Sequence, residues 1–216
     1  MDAITDNLDL FWSGLLGTAR INAYAVVGAL LLGTVMAGFR VSPIPPLRAV
    51  GAAWVTVFRN CPLVVVLFFC AFGFPEIGIN APYFWLAVLG LVLYTSAFVC
   101  EAIRSGINSV SAGQAEAARS LGLTFGQSLR LVVLPQAFRT VVPPLGSVVI
   151  AMIKNSAVVG AFGVGGELFS VTGRLTSAQG YAALPVFTGV IIGFLVLTLG
   201  TAALLGLLER KVAIVR

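Results

Sequence analysis

Few residues in this sequence could do chemistry, and their types and spacing narrow what that chemistry is. Glu101 and Arg104 stand three positions apart, the interval at which side chains on one helix meet, so they can pair as ions. At the edge of an apolar segment such a pair also snorkels to the interface. Lys154, Asn155 and Ser156 form a polar triplet at the end of an apolar run and suit contact with a carboxylate or an ammonium group. Glu167 is a further, isolated acid. Nothing makes a nucleophile and base pair: there is no histidine, and Cys61, Cys70 and Cys100 each lie in or beside apolar runs. No two of these cysteines have metal-ligand spacing, so they read as small buried hydrophobes. Neither a catalytic residue nor a metal site is expected. Gly163-Val164-Gly165-Gly166 is glycine-rich but lacks the Lys-Ser or Lys-Thr that completes a phosphate-binding loop. It is read as a bend or an external gate.

Hydropathy sets the elements that must position these residues. The 216 residues are 59% hydrophobic and only 10% charged, with a mean hydropathy of +1.04. A soluble domain carries about 25% charged residues. A membrane-spanning helix needs about 20 mostly apolar residues. The uncharged runs predict about five spans, near 15–39, 54–75, 82–104, 136–156 and 183–208. The fold class is therefore all-α, a polytopic bundle in the lipid bilayer. An external segment 1–14 precedes it, a loop at 105–135 interrupts it, and a short tail 212–216 follows.

The net charge is +5. The basic residues lie between apolar runs, without interleaved aromatics, so lipid headgroups account for them and nucleic acid is not expected. With the N-terminus outside, Arg40, Arg48, Arg59, Arg104, Arg119, Arg130, Arg139, Arg210, Lys211 and Arg216 fall inside or at the inner interface. Only Arg20, Lys154 and Arg174 fall outside or deeper. The positive-inside rule therefore selects N-terminus out and C-terminus in. The N-terminus carries Asp2, Asp6 and Asp9 rather than a basic leader, so it is read as part of the mature chain.

The polar stretch 105–135 is not built like a disordered loop. Ser111-Ala-Gly-Gln114 and Thr124-Phe-Gly-Gln127 each fit a capping box. Good helix formers run from Gln114 to Leu121, and Gly122 sits where a left-handed helix cap is expected. Pro135 marks a kink or an end to the second helix. The segment reads as a short helix, a glycine corner and a second helix that feeds the membrane. A surface-lying amphipathic helix is the plainer alternative.

At this point the sequence resembles a known family. Glu116-Ala-Ala-Arg-Ser-Leu-Gly122, then nine residues, then Val132-Val-Leu134-Pro135 is similar to the EAA motif of binding-protein-dependent ABC importer permeases. Valine stands for isoleucine at 132. Trp54 to Leu63, Glu101-Ala-Ile-Arg-Ser-Gly-Ile107 and Lys154-Asn155-Ser156 resemble segments of the polar amino acid branch. Asn60-Cys61 replaces a usual Gly-Thr there, and Ala157 a usual serine. The resemblance covers about residues 15–211.

The resemblance implies a permease for a polar amino acid such as glutamate or glutamine, in a bacterial cytoplasmic membrane. It implies a coupling helix, with Glu116, Ala117, Ala118 and Gly122 docking on a cytoplasmic ATP-binding subunit dimer and Leu134 and Pro135 at the exit. Glu101, Arg104, Lys154, Asn155 and Ser156 become candidates for the substrate pathway. A second permease subunit, identical or related, and an extracytoplasmic binding protein complete the expected assembly. ATP would be bound by the partner, so this chain needs no cofactor and is not itself an enzyme. The rival is a channel or secondary transporter, but the first, third and fifth spans lack the mid-span charges that ion coupling needs.

Overall fold

The computed structural model describes residues 2–212. The expected tail at 212–216 lies, beyond Val212, outside them. A short helix α1 (Asp2–Thr5) leads into α2 (Leu8–Val41), 34 residues long. The helix therefore takes in half of the stretch expected as an external segment. Most of its buried positions are small: Gly14, Thr18, Ala25, Ala29, Gly33 and Ala37 recur at helical spacing, beside the larger Phe11, Ile21 and Asn22. Small side chains let a neighbouring backbone come close, which is how helices associate where lipid removes the usual apolar driving force. The neighbour is α6 (Tyr83–Asn108), whose Val92 and Val99 lie against Gly28 and Gly33.

Between them the chain does not cross as one straight rod. The expected span 54–75 is two legs, α3 (Pro45–Asn60) and Leu63–Glu76, bent by 102° at a short break. The second leg comprises α4 (Leu63–Phe68), a π-helical turn (Phe69–Gly73) and α5 (Phe74–Glu76). The cause is local. Cys61 precedes Pro62, and the proline ring pushes it out of the helical region, to φ −87° and ψ 133°.

The fourth apolar helix is longer than expected. It runs from Phe125 to Gly160, 36 residues, or roughly 54 Å at about 1.5 Å per residue. A hydrocarbon core is about 30 Å thick, so this helix extends well beyond one. It starts as α8 (Phe125–Ser128), passes through a π-helical turn (Leu129–Val133) and continues as α9 (Leu134–Asn155). Pro135 cannot donate to the carbonyl four residues back, and the wider turn just before it absorbs that loss. The second half of the 105–135 stretch is thus the foot of the fourth helix. Its first half holds the end of α6 and then α7 (Ala112–Ser120).

Beyond α9 a tight turn (Ser156–Phe162), α10 (Ser170–Gly173) and a π-helical turn (Arg174–Ala178) lead to α11 (Ala183–Val212). Many of the large apolar side chains of α11 point outward, including Ile191, Leu195 and Leu199. Among the described residues four helices are long and apolar enough to cross a membrane, or five when the bent pair counts as one span.

The segment around residue 168 locks onto the first turns of α2. Thr18 Oγ1 accepts from the Leu168 backbone N–H at 2.9 Å and donates to the Gly14 carbonyl at 3.0 Å. A Cβ on Gly17 would overlap the Gly166 carbonyl oxygen, which is backbone and cannot swing away. We expect Gly17→Ala to cost about 1–3 kcal/mol, the range for overpacked sites. Thermal unfolding of the purified variant reads this directly; an unchanged midpoint would mean the two segments do not pack this way.

Candidate functional site

The end of the molecule that holds the EAA-like run is a helical hairpin with a rigid corner. Helix α7 closes at Leu121, and Gly122 follows at φ +83°. The Leu123 N–H donates to the Ala118 carbonyl at 3.2 Å, and the Gly122 N–H to the Arg119 carbonyl at 2.9 Å. This pair of bonds is a Schellman cap, which needs a left-handed residue and so favours glycine. Thr124 then caps the next helix. Its Oγ1 accepts from the Gln127 N–H at 3.3 Å, and its own N–H donates to Gln127 Oε1 at 2.9 Å. Both expected turns are therefore present, but only one expected capping box is. Ser111 makes no side-chain cap bond. The amide of its intended partner, Gln114, instead accepts from Gln136 Nε2 at 3.5 Å, tying α7 to the foot of α9.

The hairpin divides the motif residues into two groups. Ala118 is buried, whereas Glu116, Ala117 and Gly122 are exposed. Leu134 and Pro135 are exposed along the stem. Beside Gly122, Leu121 is 83% exposed, the highest value among the exposed large hydrophobics, and Phe125 is also open. The motif named the hairpin but not these two side chains. Their apolar character within a polar stretch was the available signal.

Glu101 and Arg104 meet as their spacing predicts. Arg104 grips both carboxylate oxygens, Nε at 3.1 Å and NH2 at 2.8 Å. Two further cations join them: Arg40 at 3.1 Å and Arg59 at 3.8 Å. The cluster ties the ends of α2, α3 and α6 together at the same end of the molecule as the hairpin.

Lys154, Asn155 and Ser156 part company. Lys154 is exposed. Asn155 lines a cavity of about 240 Å³ between α6 and α9, with Tyr94, Thr95, Phe98 and Met152. Ser156 is buried and accepts from Asn22 Nδ2 at 2.8 Å while donating to the Ile153 carbonyl at 2.7 Å. Asn155 thus reaches open space, and Ser156 ties α2 to α9. Tyr94 and Thr95 add polar groups that sequence reasoning did not single out. Their hydroxyls within an otherwise apolar run were the clue. No residue lining this cavity is acidic.

Glu167 is an internal cap. Its carboxylate accepts from the backbone N–H groups of Phe169 at 2.6 Å and Ser170 at 2.8 Å. Burial pushes its carboxyl up, and the two amides pull it back down. The glycines before it turn the chain at positive φ, at Gly163, Gly165 and Gly166, so this stretch forms the expected bend. Among the described residues no group of three or more acids and cysteines is placed to hold a metal.

Comparison with known proteins converges. Residues 29–214 match the family described as binding-protein-dependent transport system inner membrane component. The glutamate transport system permease protein GluC of Corynebacterium efficiens is 39% identical, over 96% of this chain and 94% of that protein. The probable glutamine ABC transporter permease protein GlnM of Bacillus subtilis is 36% identical, over 95% and 94%. Among solved structures, that of an amino acid ABC transporter with histidines superposes at a TM-score of 0.90, with 35% identity and 96% of each chain covered. The inward-facing MetNI methionine ABC transporter shares the fold, at a TM-score of 0.73 and 24% identity.

Proposed function

The chain belongs to the family of binding-protein-dependent transport system inner membrane components, and from that premise we propose how it works as the permease subunit of an ATP-driven importer for polar amino acids. It is a multi-pass inner-membrane protein. Residues 15–211 are its permease domain. Its cargo is glutamate, glutamine or a close relative, the substrates named for its relatives. The membrane is bacterial, with the N-terminus outside and the hairpin in the cytosol, because that orientation puts most of the arginines inside.

The single observation that carries the reading is the corner at Leu121 and Gly122, a fixed apolar knob on a rigid turn at the EAA-like run. A floppy loop would absorb a push, whereas a hairpin fixed by a Schellman cap and a capping box passes it on. Glu116, Ala117 and Gly122 line the docking surface, Ala118 holds the hairpin shut behind it, and Leu134 and Pro135 lead the motion into the membrane. ATP is bound and hydrolysed by a separate pair of subunits, and a second permease subunit and an external binding protein complete the importer. Binding and hydrolysis then shift the bundle between two states, each open to one side.

The cavity at Asn155 is the proposed resting place for cargo. Tyr94, Thr95 and Asn155 offer neutral hydrogen-bonding groups, whereas Lys154 is exposed and does not line the cavity. With no acid in the lining, a cationic side chain would lie uncompensated, so neutral and acidic amino acids are favoured. Glu101 and Arg104 hold the bundle at its cytosolic end, and Ser156 holds α9 against α2.

Reconstitution tests the proposal. Proteoliposomes containing the chain, its ATP-binding subunits and the binding protein should take up labelled glutamate or glutamine only with ATP inside the docking compartment. Uptake driven by an ion gradient without ATP would return the chain to the secondary-transporter class. Asn155→Leu should lower that uptake about tenfold, the effect of about 1.4 kcal/mol, while the subunits still copurify. Unchanged uptake would remove Asn155 from the pathway.

A further inference from the structure

At the cytosolic end of the bundle one carboxylate serves three guanidiniums. Glu101 is 18% exposed, and Arg40, Arg104 and Arg59 are 24%, 32% and 47% exposed. Arg104 takes the carboxylate as a fork, and Arg40 adds one bond. Arg59 is held only at 3.8 Å, with its guanidinium 5.6 Å from the Phe98 ring centre. A carboxylate has about four acceptor sites, whereas three guanidiniums present about fifteen N–H groups. Two positive charges remain without a matching anion within 4.0 Å among the described residues.

The position of α3 shows what that surplus faces. Gly51 packs on Met36 and Arg40, Val55 clusters with Ala37 and Cys100, and Trp54 Nε1 donates to Ser96 Oγ at 3.0 Å. All these partners lie within a short stretch of α2 and of α6. Helix α3 therefore runs across the bundle rather than along it, as the 102° bend requires. One flank of α3 exposes Val50 and Val57, and the opposite flank carries Arg59. An apolar flank opposite a cationic one along a transverse helix suits the boundary between headgroups and acyl chains.

The tip of the docking hairpin, at Leu121 and Phe125, lies well away from the cluster. Gly106 packs on Val141, and the α9 rod continues from Val141 back to Phe125, roughly 24 Å at about 1.5 Å per residue. The cluster sits at the upper end of that distance, and the hairpin tip at the lower end.

We propose that Arg40, Arg59 and Arg104 form a phosphate site, filled by the headgroup of an anionic phospholipid from the cytosolic leaflet. Guanidinium forks match phosphate oxygens as they match carboxylates. The lipid supplies the missing negative charge. The lipid thereby fixes the angle between α3 and the α2–α6 pair.

Native mass spectrometry of the full-length chain, purified from membranes with its bound subunits, tests this. The probes are phosphatidylglycerol, phosphatidylcholine and inorganic phosphate. The wild type should retain phosphatidylglycerol over phosphatidylcholine, and millimolar inorganic phosphate should not displace it. Arg59→Gln should weaken phosphatidylglycerol retention about fivefold, the effect of one cation at an anionic surface. Arg59 is half-exposed, so the variant should fold, and Arg59→Lys should restore part of the retention. Arg174→Gln, at the opposite end, should change nothing. Equal retention in wild type and Arg59→Gln, or an equal loss in Arg174→Gln, overturns the site. Displacement by inorganic phosphate overturns the lipid as its source. Loss of the ATP-binding subunit from Arg59→Gln, with phosphatidylglycerol still held, would mean that a protein anion covers the cluster instead.

Discussion

Leu121→Glu should cut ATP-driven uptake by more than about tenfold while the chain still inserts and folds. Leu121 is 83% exposed, so its side chain contributes almost nothing to packing within this chain. Its backbone N–H, donating to the Ala117 carbonyl at 3.2 Å, survives the substitution. On the proposed docking, what the substitution removes is contact with the ATP-binding subunit. Burying a leucine is worth about 1.5–3 kcal/mol, and setting a carboxylate in the same apolar socket adds a desolvation cost. Each 1.4 kcal/mol is about tenfold in affinity. Copurification of the ATP-binding subunit measures the binding, and proteoliposome uptake measures its consequence. If Leu121→Glu captures the subunit as well as the wild type does, the apolar knob is not the contact.

Glu101→Ala should give the largest loss of stability among single changes at the hairpin end of the bundle. It leaves Arg40, Arg59 and Arg104 facing one another with no carboxylate between them. Removing one partner of a fully buried ion pair costs about 3–5 kcal/mol. This cluster is partly open to solvent, which screens it, so about 2–3 kcal/mol is expected. The unfolding midpoint of the purified chain should fall by several degrees. Glu101→Asp should recover part of the loss, because a shorter carboxylate still reaches at least one guanidinium. A midpoint within about one degree of the wild type would show that the cluster holds nothing together.

The sequence disclosed the long helices because hydropathy is summed over many residues and tolerates local error. It disclosed the corner at Gly122 because a left-handed cap is a strictly local requirement. The bend at Cys61 was missed for the opposite reason. An uncharged run has no direction, so 54–75 read as one straight span, although Pro62 stood within it as a warning. Ser111 fails as a cap because the Gln114 backbone N–H donates to the Ser111 carbonyl, at 3.0 Å, rather than to its hydroxyl, while the Gln114 side chain is taken by Gln136, 22 residues away. The ion cluster was half legible. The Glu101–Arg104 pair follows from helix periodicity, but Arg40 is 61 residues away from Glu101 and meets it only once α2 and α6 have packed. In the same way the triplet at 154–156 announced polarity without direction. Its three consecutive side chains point three ways around one helix, and only packing decides which of them reaches the cavity.

The unbroken run from Phe125 to Gly160 sets a mechanical gain. Phe125 stands at the corner and Asn155 at the cavity, about 45 Å apart along one rod at about 1.5 Å per residue. Pivoting such a rod by about 10° about one end displaces the other by about 8 Å, more than the width of a residue. A small rotation at one end therefore becomes a large excursion at the other. On the proposed mechanism, the length of this one helix sets the scale of that excursion.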